Sequence, residues 1–313
     1  MDATNDLIIS VAKGPYTWSD FVPFVASLED AGFCGTKVMC VDSILPEVRD
    51  SLIAHGYLLI DFVSEEPPTV GDAGPAEIRW RAWMAFGRTR LIPILTFLEE
   101  NVSRFRYILC PDWKDLIFQT NPFVWLENNL SPHKLLGCSE IVKIKDQITM
   151  REWVQHIVDE HDFSWLGEQD ICCCGTLVGE AQEVHKLMCR IYSNLSPTDL
   201  LRTDQGELNF LLRVDPFKSI TRVPKYAEGF AATVGWIKGT DYDQHKDHFT
   251  DAIPDFDEST GLVYPQGQKV PFSIVHQYDR SDSWTSLVNK RYGRQTHART
   301  SEACEEASAS DAL

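Results

Sequence analysis

Apolar and polar positions alternate along the first hundred residues in a way that predicts strand, helix, strand, helix. Leu7-Ile-Ile-Ser-Val-Ala12 is a continuous apolar run of strand length, closed by Lys13-Gly14-Pro15. Ser19 or Asp20 starts a helix that Gly32 stops near Asp30. Thr36 to Val41 reads as a second strand, Leu45 to His55 as a helix ended by Gly56, and Tyr57 to Val63 as a third strand. A loop rich in Glu, Pro and Gly follows from Ser64 to Gly74, then a helical stretch from Ala76 to Glu100 with a break near Pro93. Tyr107 to Cys110 is another short strand, and a helix lies near Phe123 to Asn128.

The second half is less regular. Strands are predicted over Leu135 to Val142, Ile171 to Val178 and Pro271 to His276. Helices are predicted over Met150 to His161, Ala181 to Asn194, Asp204 to Leu212 and Ser283 to Arg291, with an acidic, aromatic loop from Lys238 to Ser259. Strand–helix alternation predicts an α/β fold with a mostly parallel, mixed central sheet flanked by helices. No repeat or convincing linker divides the body, so one domain is expected over 1–294. A Ser-, Ala- and Glu-rich tail over 295–313 is expected to be disordered.

Composition narrows the classes. The 313 residues carry a net charge of -17, which excludes a protein built to wrap nucleic acid, and 43% hydrophobic content is ample for a core. No apolar run reaches the roughly 18 residues of a membrane span. No basic region precedes the first apolar run, so no signal peptide is expected. The cysteines Cys40, Cys110, Cys172, Cys173 and Cys174 sit in apolar segments and no CxxC pair occurs, as expected of reduced thiols in a cytoplasmic protein.

The chemistry concentrates at Pro111-Asp-Trp-Lys-Asp115. Two carboxylates, Asp112 and Asp115, follow directly on a strand, where open α/β sheets place ligands. Hard oxygen donors of this kind suit Mg²⁺ or Mn²⁺, which escort phosphates; a polar loop neutralised by Lys114 is the plain alternative. Thr203-Asp204-Gln205 is a helix start by its residue types, or a carboxylate and an amide presented to a substrate. His276 ends a strand, as structural histidines often do, or supplies a nitrogen ligand to a site begun by two carboxylates. Cys172-Cys-Cys174 reads as small core residues, since neighbours on a strand face opposite ways, and Gly175 suggests a close approach of backbone to ligand. His245 and His248, with Asp241, Asp243 and Asp247, read as a solvated loop. Arg88 and Arg90 are surface charges or diphosphate contacts. No dinucleotide fingerprint, Walker loop or Gly-x-Ser-x-Gly elbow is present.

The order of these pieces resembles a family. Ile9-Ser-Val-Ala-Lys13, an Arg-bearing helix, Asp-x-x-Asp with Phe118-Gln-x-Asn-Pro-Phe123, Asp204-Gln205…Asn209 and Val275-His276-Gln-Tyr-Asp-Arg280 together resemble GT-A-fold glycosyltransferases that use nucleotide-diphosphate sugars. The likeness is nearest to small soluble glycosyltransferases of large algal viruses and related algal or bacterial proteins. More distantly it extends to the glycogenin-like and bacterial galactosyltransferase group. It implies a GT-A-like, Rossmann-like domain and Mn²⁺ or Mg²⁺ held by Asp112, Asp115 and His276. It also implies a donor, by resemblance a UDP-sugar, contacted by Ala12, Lys13, Gly14, Arg90, Asp112, Trp113, Gly175 and Thr176. Asp204 and Gln205 then sit beside the anomeric carbon, as in retaining relatives. The acceptor is a glycan or other hydroxyl. Two departures stand out: the carboxylates are spaced DxxD, and Cys173-Cys174 replace the relatives' Asn-Ala. A metal-dependent glycosyltransferase is the expected function; the two departures feed the alternative of a non-catalytic nucleotide- or glycan-binding protein of the same fold. A two-metal phosphohydrolase would need more acidic ligands than this single pair.

Overall fold

The computed structural model describes residues 5–64, 75–238 and 242–293. Fourteen strands occur among them: β1 Leu7–Lys13, β2 Thr36–Asp42, β3 Tyr57–Asp61, β4 Tyr107–Pro111, β5 Leu116–Phe118, β6 Leu135–Leu136, β7 Ser139–Lys143, β8 Asp170–Cys172, β9 Thr176–Glu180, β10 Thr221–Arg222, β11 Ala231–Thr233, β12 Asp255–Asp257, β13 Leu262–Tyr264 and β14 Ile274–His276. The helices are α1 Trp18–Asp30, α2 Pro46–Ala54, α3 Pro75–Thr89, α4 Leu91–Asn101, α5 Pro122–Asn129, α6 Ile148–Ile157, α7 Glu160–Leu166, α8 Ala181–Asn194, α9 Asp204–Leu211, α10 Gly235–Lys238, α11 Tyr242–His245 and α12 Asp282–Tyr292. The expected 295–313 tail lies outside the described residues, as do most of the Ser64 to Gly74 loop and residues 239–241 of the acidic loop.

A seven-stranded sheet in the order β10-β6-β9-β4-β1-β2-β3 forms the centre. It is mixed and mostly parallel: β1 runs parallel to β2 and β4, and β2 to β3, while β9 runs against β4 and β6. The unbroken apolar run of β1 follows from burial on both faces. Ile8 and Ala12 pack with α1 and α2 residues such as Phe21, Val25 and Leu52. Leu7, Ile9 and Val11 pack on the other face with Leu91, Ile94 and Leu98 of α4 and Val184, Leu187 and Met188 of α8. A smaller sheet, β11-β14-β5, stands beside the first, and Trp284 and Val288 of α12 close over it.

Three expected elements break where the site lies. The helix over Ala76 to Glu100 breaks near Pro93 as expected, and the break falls at Arg90. Pro93 has no N–H, and its ring clashes with the carbonyl four residues back, that of Thr89, so it is tolerated in the first turn of α4 and α3 stops at Thr89. The strand over Ile171 to Val178 is two strands, β8 and β9, split by a turn at Cys173–Gly175. The strand over Leu135 to Val142 also divides, β6 joining the central sheet and β7 pairing with β8. No helix of the described residues is long and apolar enough to cross a membrane.

Candidate functional site

Parallel pairing brings the C-terminal ends of β1 and β4 to one edge of the central sheet, so Lys13 and Asp112 both line a cleft there. Because β9 is antiparallel, its beginning lies at that same edge: Thr176 pairs with Pro111, and the Asp112 N–H donates to the Gly175 carbonyl at 3.1 Å. Between β4 and β5 the chain bends through Asp112–Asp115. Trp113 turns inward, 5% exposed and stacked on Phe21 with ring centroids 3.8 Å apart, and its edge meets Tyr16.

His276 arrives by register. It pairs with Leu116 in the β5–β14 ladder, and the Gln277 N–H donates to the Asp115 carbonyl at 2.7 Å. Gln277 takes a left-handed φ of 60°, turning the chain away just after the histidine. The imidazole Nε2 lies 3.2 Å from Asp115 Oδ1 and 3.7 Å from Asp112 Oδ2. Oxygen and nitrogen donors of Asp112, Asp115 and His276 all fall within 4.8 Å of one another. Nε2 is buried and makes no hydrogen bond, and two carboxylates with one imidazole are donors that a divalent cation can take. Gly175 completes the cradle. A Cβ there would stand 2.4 Å from Asp112 Oδ2 and 2.7 Å from His276 Cε1. The residues therefore fit a divalent cation.

The charges are tightly coupled. Burial works against ionising Asp115, yet His276 and Arg280 outweigh it and hold its carboxyl below the usual range. Burial likewise disfavours imidazolium at His276, but Asp115 and Asp112 push its pKa up. Asp279, beside them, is pushed up by burial and by Asp115.

Arg90, at the α3–α4 break, reaches across the cleft. Its Nε and Nη2 donate to Asp204 Oδ2 at 2.9 and 2.6 Å, and its Nη1 donates to Asp112 Oδ1 at 2.7 Å. Burial of the guanidinium is outweighed by Asp204 and Asp112, so its pKa stands well above normal. Arg88 instead donates to the Tyr192 hydroxyl and lies over its ring.

Asp204 is not the helix cap. Thr203 Oγ1 accepts from the Gly206 N–H at 3.0 Å, which leaves the Asp204 carboxylate free for Arg90. Asn209 pins α9 to β8: its amide donates to the Cys172 carbonyl and accepts from the Cys172 N–H, at 2.9 and 2.7 Å. That anchor sets Gln205 beside the Cys173–Gly175 turn.

The structure brings Lys13, Arg90, Asp112, Trp113, Asp115, Cys174 and Asp204 to a cavity of about 600 Å³. Gly175, Gln205 and His276 line an adjoining space of about 160 Å³ that shares Arg90, Asp112, Asp115 and Asp204. Ala12 is fully buried in the core, Thr176 is fully buried with its hydroxyl turned to the Cys173 carbonyl, and Gly14 forms a turn at φ 120°. These three are not among the residues lining either space. His245 is buried against Trp236 rather than solvated.

Sequence reasoning missed two features. The first is the turn at Cys173–Gly175: Cys172 and Cys173 are buried as expected of core residues, but the turn also sets Cys173 and Cys174 along the smaller space. Glu140 was passed over inside its apolar run. It is 2% exposed and accepts from Gln205 Nε2 at 3.2 Å and from Trp236 Nε1 at 2.8 Å. An acid inside a strand-like apolar segment was the available signal. The next residue, Ile141, has a φ of 52°, a strained value for a β-branched side chain.

No protein-family model matches the chain, and no curated protein matches it. Among solved structures it is similar to an active-site mutant of LgtC and to the galactosyltransferase LgtC in complex with donor and acceptor sugar analogues. Each aligns with 14% identity and a TM-score of 0.47, over 91% of this chain and 95% of that chain.

Proposed function

We propose that this chain is a divalent-cation-assisted glycosyltransferase that moves a sugar from a nucleotide-diphosphate donor, a UDP-sugar in this reading, to a hydroxyl of a glycan or other acceptor. The observation that carries the reading is the convergence of Asp112, Asp115 and His276 beside a cleft that also holds Arg90 and Asp204. The order of motifs in the sequence supports the same reading. The transferring body is residues 1–294, with 295–313 as an appended tail.

Mn²⁺ or Mg²⁺ held by Asp112, Asp115 and His276 would neutralise the charge that grows on a departing diphosphate. The chain's own groups do the rest. Arg90, already charged and mostly buried, exchanges its contact with Asp112 for the donor's anionic groups while keeping Asp204 in place. Lys13 and Trp113 border the side of the cavity nearest β1, where the nucleoside lies in this reading. Asp204 and Gln205 face the sugar, where a carboxylate and an amide shield an electron-deficient anomeric centre. Glu140 fixes the Gln205 amide by accepting from its nitrogen, which turns the amide oxygen toward Cys174 and the cleft.

The test is a panel of nucleotide-sugars screened for Mn²⁺-dependent thermal stabilisation, followed by product analysis with sugar acceptors. A donor present at a hundred times its dissociation constant stabilises the native state by about 2.7 kcal/mol. Stabilisation by one donor together with transfer supports the enzyme. Stabilisation without any turnover selects the non-catalytic binding protein, and no metal-dependent response to any nucleotide overturns both.

A further inference from the structure

The ring of His276 has two nitrogens, and only one faces Asp112 and Asp115. The other, Nδ1, lies 3.3 Å from Cys173 Sγ. Both groups are closed off from solvent, with Cys173 3% and His276 1% exposed. The Cys173 backbone is held by its N–H donating to the Cys138 carbonyl at 2.9 Å, so the thiol is presented from a fixed point. On its other side the ring packs against Gly175, where even a methyl group would collide with Cε1. A neutral imidazole that gives Nε2 to a cation carries its hydrogen on Nδ1. In an interior without water that N–H needs an acceptor, and metal-bound histidines almost always have one. Among the described residues Cys173 Sγ is the only hydrogen-bond partner of Nδ1.

We propose that Cys173 is a positioning residue for the cation site: its sulfur accepts the Nδ1–H of His276, fixes that tautomer, and keeps Nε2 aimed at the point shared with Asp112 and Asp115. The inference rests on the cation reading of that cluster. It assigns a task to a residue that in sequence reads as a small core side chain. Sulfur is a weaker acceptor than the carboxylate or carbonyl that usually does this work. An oxygen acceptor at the same place is therefore expected to serve at least as well if it can reach.

The full chain is titrated with Mn²⁺ in the presence of UDP, following free Mn²⁺ by electron paramagnetic resonance, as wild type, Cys173→Ala, Cys173→Ser and His276→Ala. Cys173→Ala is expected to bind Mn²⁺ about 10- to 100-fold more weakly, the usual loss when a ligand's hydrogen-bond partner is removed. Cys173→Ser is expected to return to within a few-fold of wild type, a rescue that a purely space-filling role does not give. In the Mg²⁺- and UDP-bound wild type, nitrogen NMR is expected to show His276 protonated at Nδ1. Wild-type affinity in Cys173→Ala, or an Nε2–H tautomer, overturns the inference, and the tautomer decides the matter should both cysteine variants fail to fold. If His276→Ala loses Mn²⁺ while Cys173→Ala keeps it, the role of Cys173 falls and the cation site stands. If His276→Ala binds as wild type, the cation site itself falls.

Discussion

Gly175→Ala adds one methyl group, and the structure says where it goes. The new Cβ would stand 2.4 Å from Asp112 Oδ2, and about 3.4 Å is the lower end of ordinary contact, so the carboxylate must retreat by about 1 Å. His276 Cε1, at 2.7 Å, must give by a smaller amount. The backbone of Gly175 needs no left-handed φ, so alanine is not strained there. The Asp112 side chain is 37% exposed and can swing toward water. The structural cost is then the loss of one partly exposed contact with Arg90, on the order of 1 kcal/mol or less, a Tm shift of about 2–4 °C at most for a chain of this size. The functional cost is larger. A 1 Å displacement of a positioning group costs about 10²-fold, equivalent to ~2.7 kcal/mol. Gly175→Ala should therefore melt near wild type while losing about 10²-fold in kcat/KM, with Mn²⁺ binding weakened alongside. The assays are differential scanning fluorimetry, Mn²⁺ titration and initial rates with the donor found by screening. Wild-type Mn²⁺ affinity and wild-type turnover in a folded Gly175→Ala protein would refute the geometry assigned to the site.

Asp204→Asn keeps an oxygen for Arg90 and leaves the Thr203 cap untouched, so it should lower kcat by about 10²-fold or more with Mn²⁺ and nucleotide binding near wild type; loss of nucleotide binding instead would make Asp204 a structural anchor. Arg90→Lys removes the fork that holds Asp204 twice and Asp112 once, and should raise the donor KM about tenfold, read from initial rates across donor concentration. Away from the cleft, Glu207 is fully buried and held by Arg202 and Asn194, so Arg202→Ala should destabilise by about 3 kcal/mol in chemical denaturation without changing donor binding. Removing residues 295–313 should leave both Tm and donor affinity intact, and a large loss of either would show that the tail docks.

The central sheet was legible because its signals are local. A run such as Leu7 to Ala12, apolar at every position, is what burial on both faces demands, and a glycine after each early helix marks its end. The breaks near the site were less legible because they serve contacts made across the fold. The turn at Cys173–Gly175 looks like strand in sequence. It exists because Gly175 admits the Asp112 and His276 side chains and because Asn209, on a distant helix, holds the Cys172 backbone. Pro93 announced a break in the long helix, but not that the break falls at Arg90. That placement follows from the reach of the proline ring back to Thr89 and leaves Arg90 at a helix junction.

The DxxD spacing, which in sequence looks like a defect of the motif, has a structural reason. Residues 112–115 carry the chain from the central sheet at β4 to the smaller sheet at β5. In that passage Trp113 drops into the core against Phe21, and Lys114 turns outward over the Tyr16 ring. A bend that buries one intervening side chain and exposes the other returns the carboxylates to the same side after three residues. The second of them is then fixed by its own strand, since Asp115 immediately precedes the ladder that pairs Leu116 with His276. Asp112 is thus placed by the central sheet, Asp115 and His276 by the smaller one, and the proposed cation site lies at the seam between them. Its geometry depends on how the two sheets meet, which no local pattern in the sequence encodes. For that reason the convergence of the three residues could be expected from their types, their order and the family resemblance, while the seam that produces it could not. It also follows that packing changes at the seam, at Trp113 or Phe21, should disturb metal binding before they disturb the fold of either sheet.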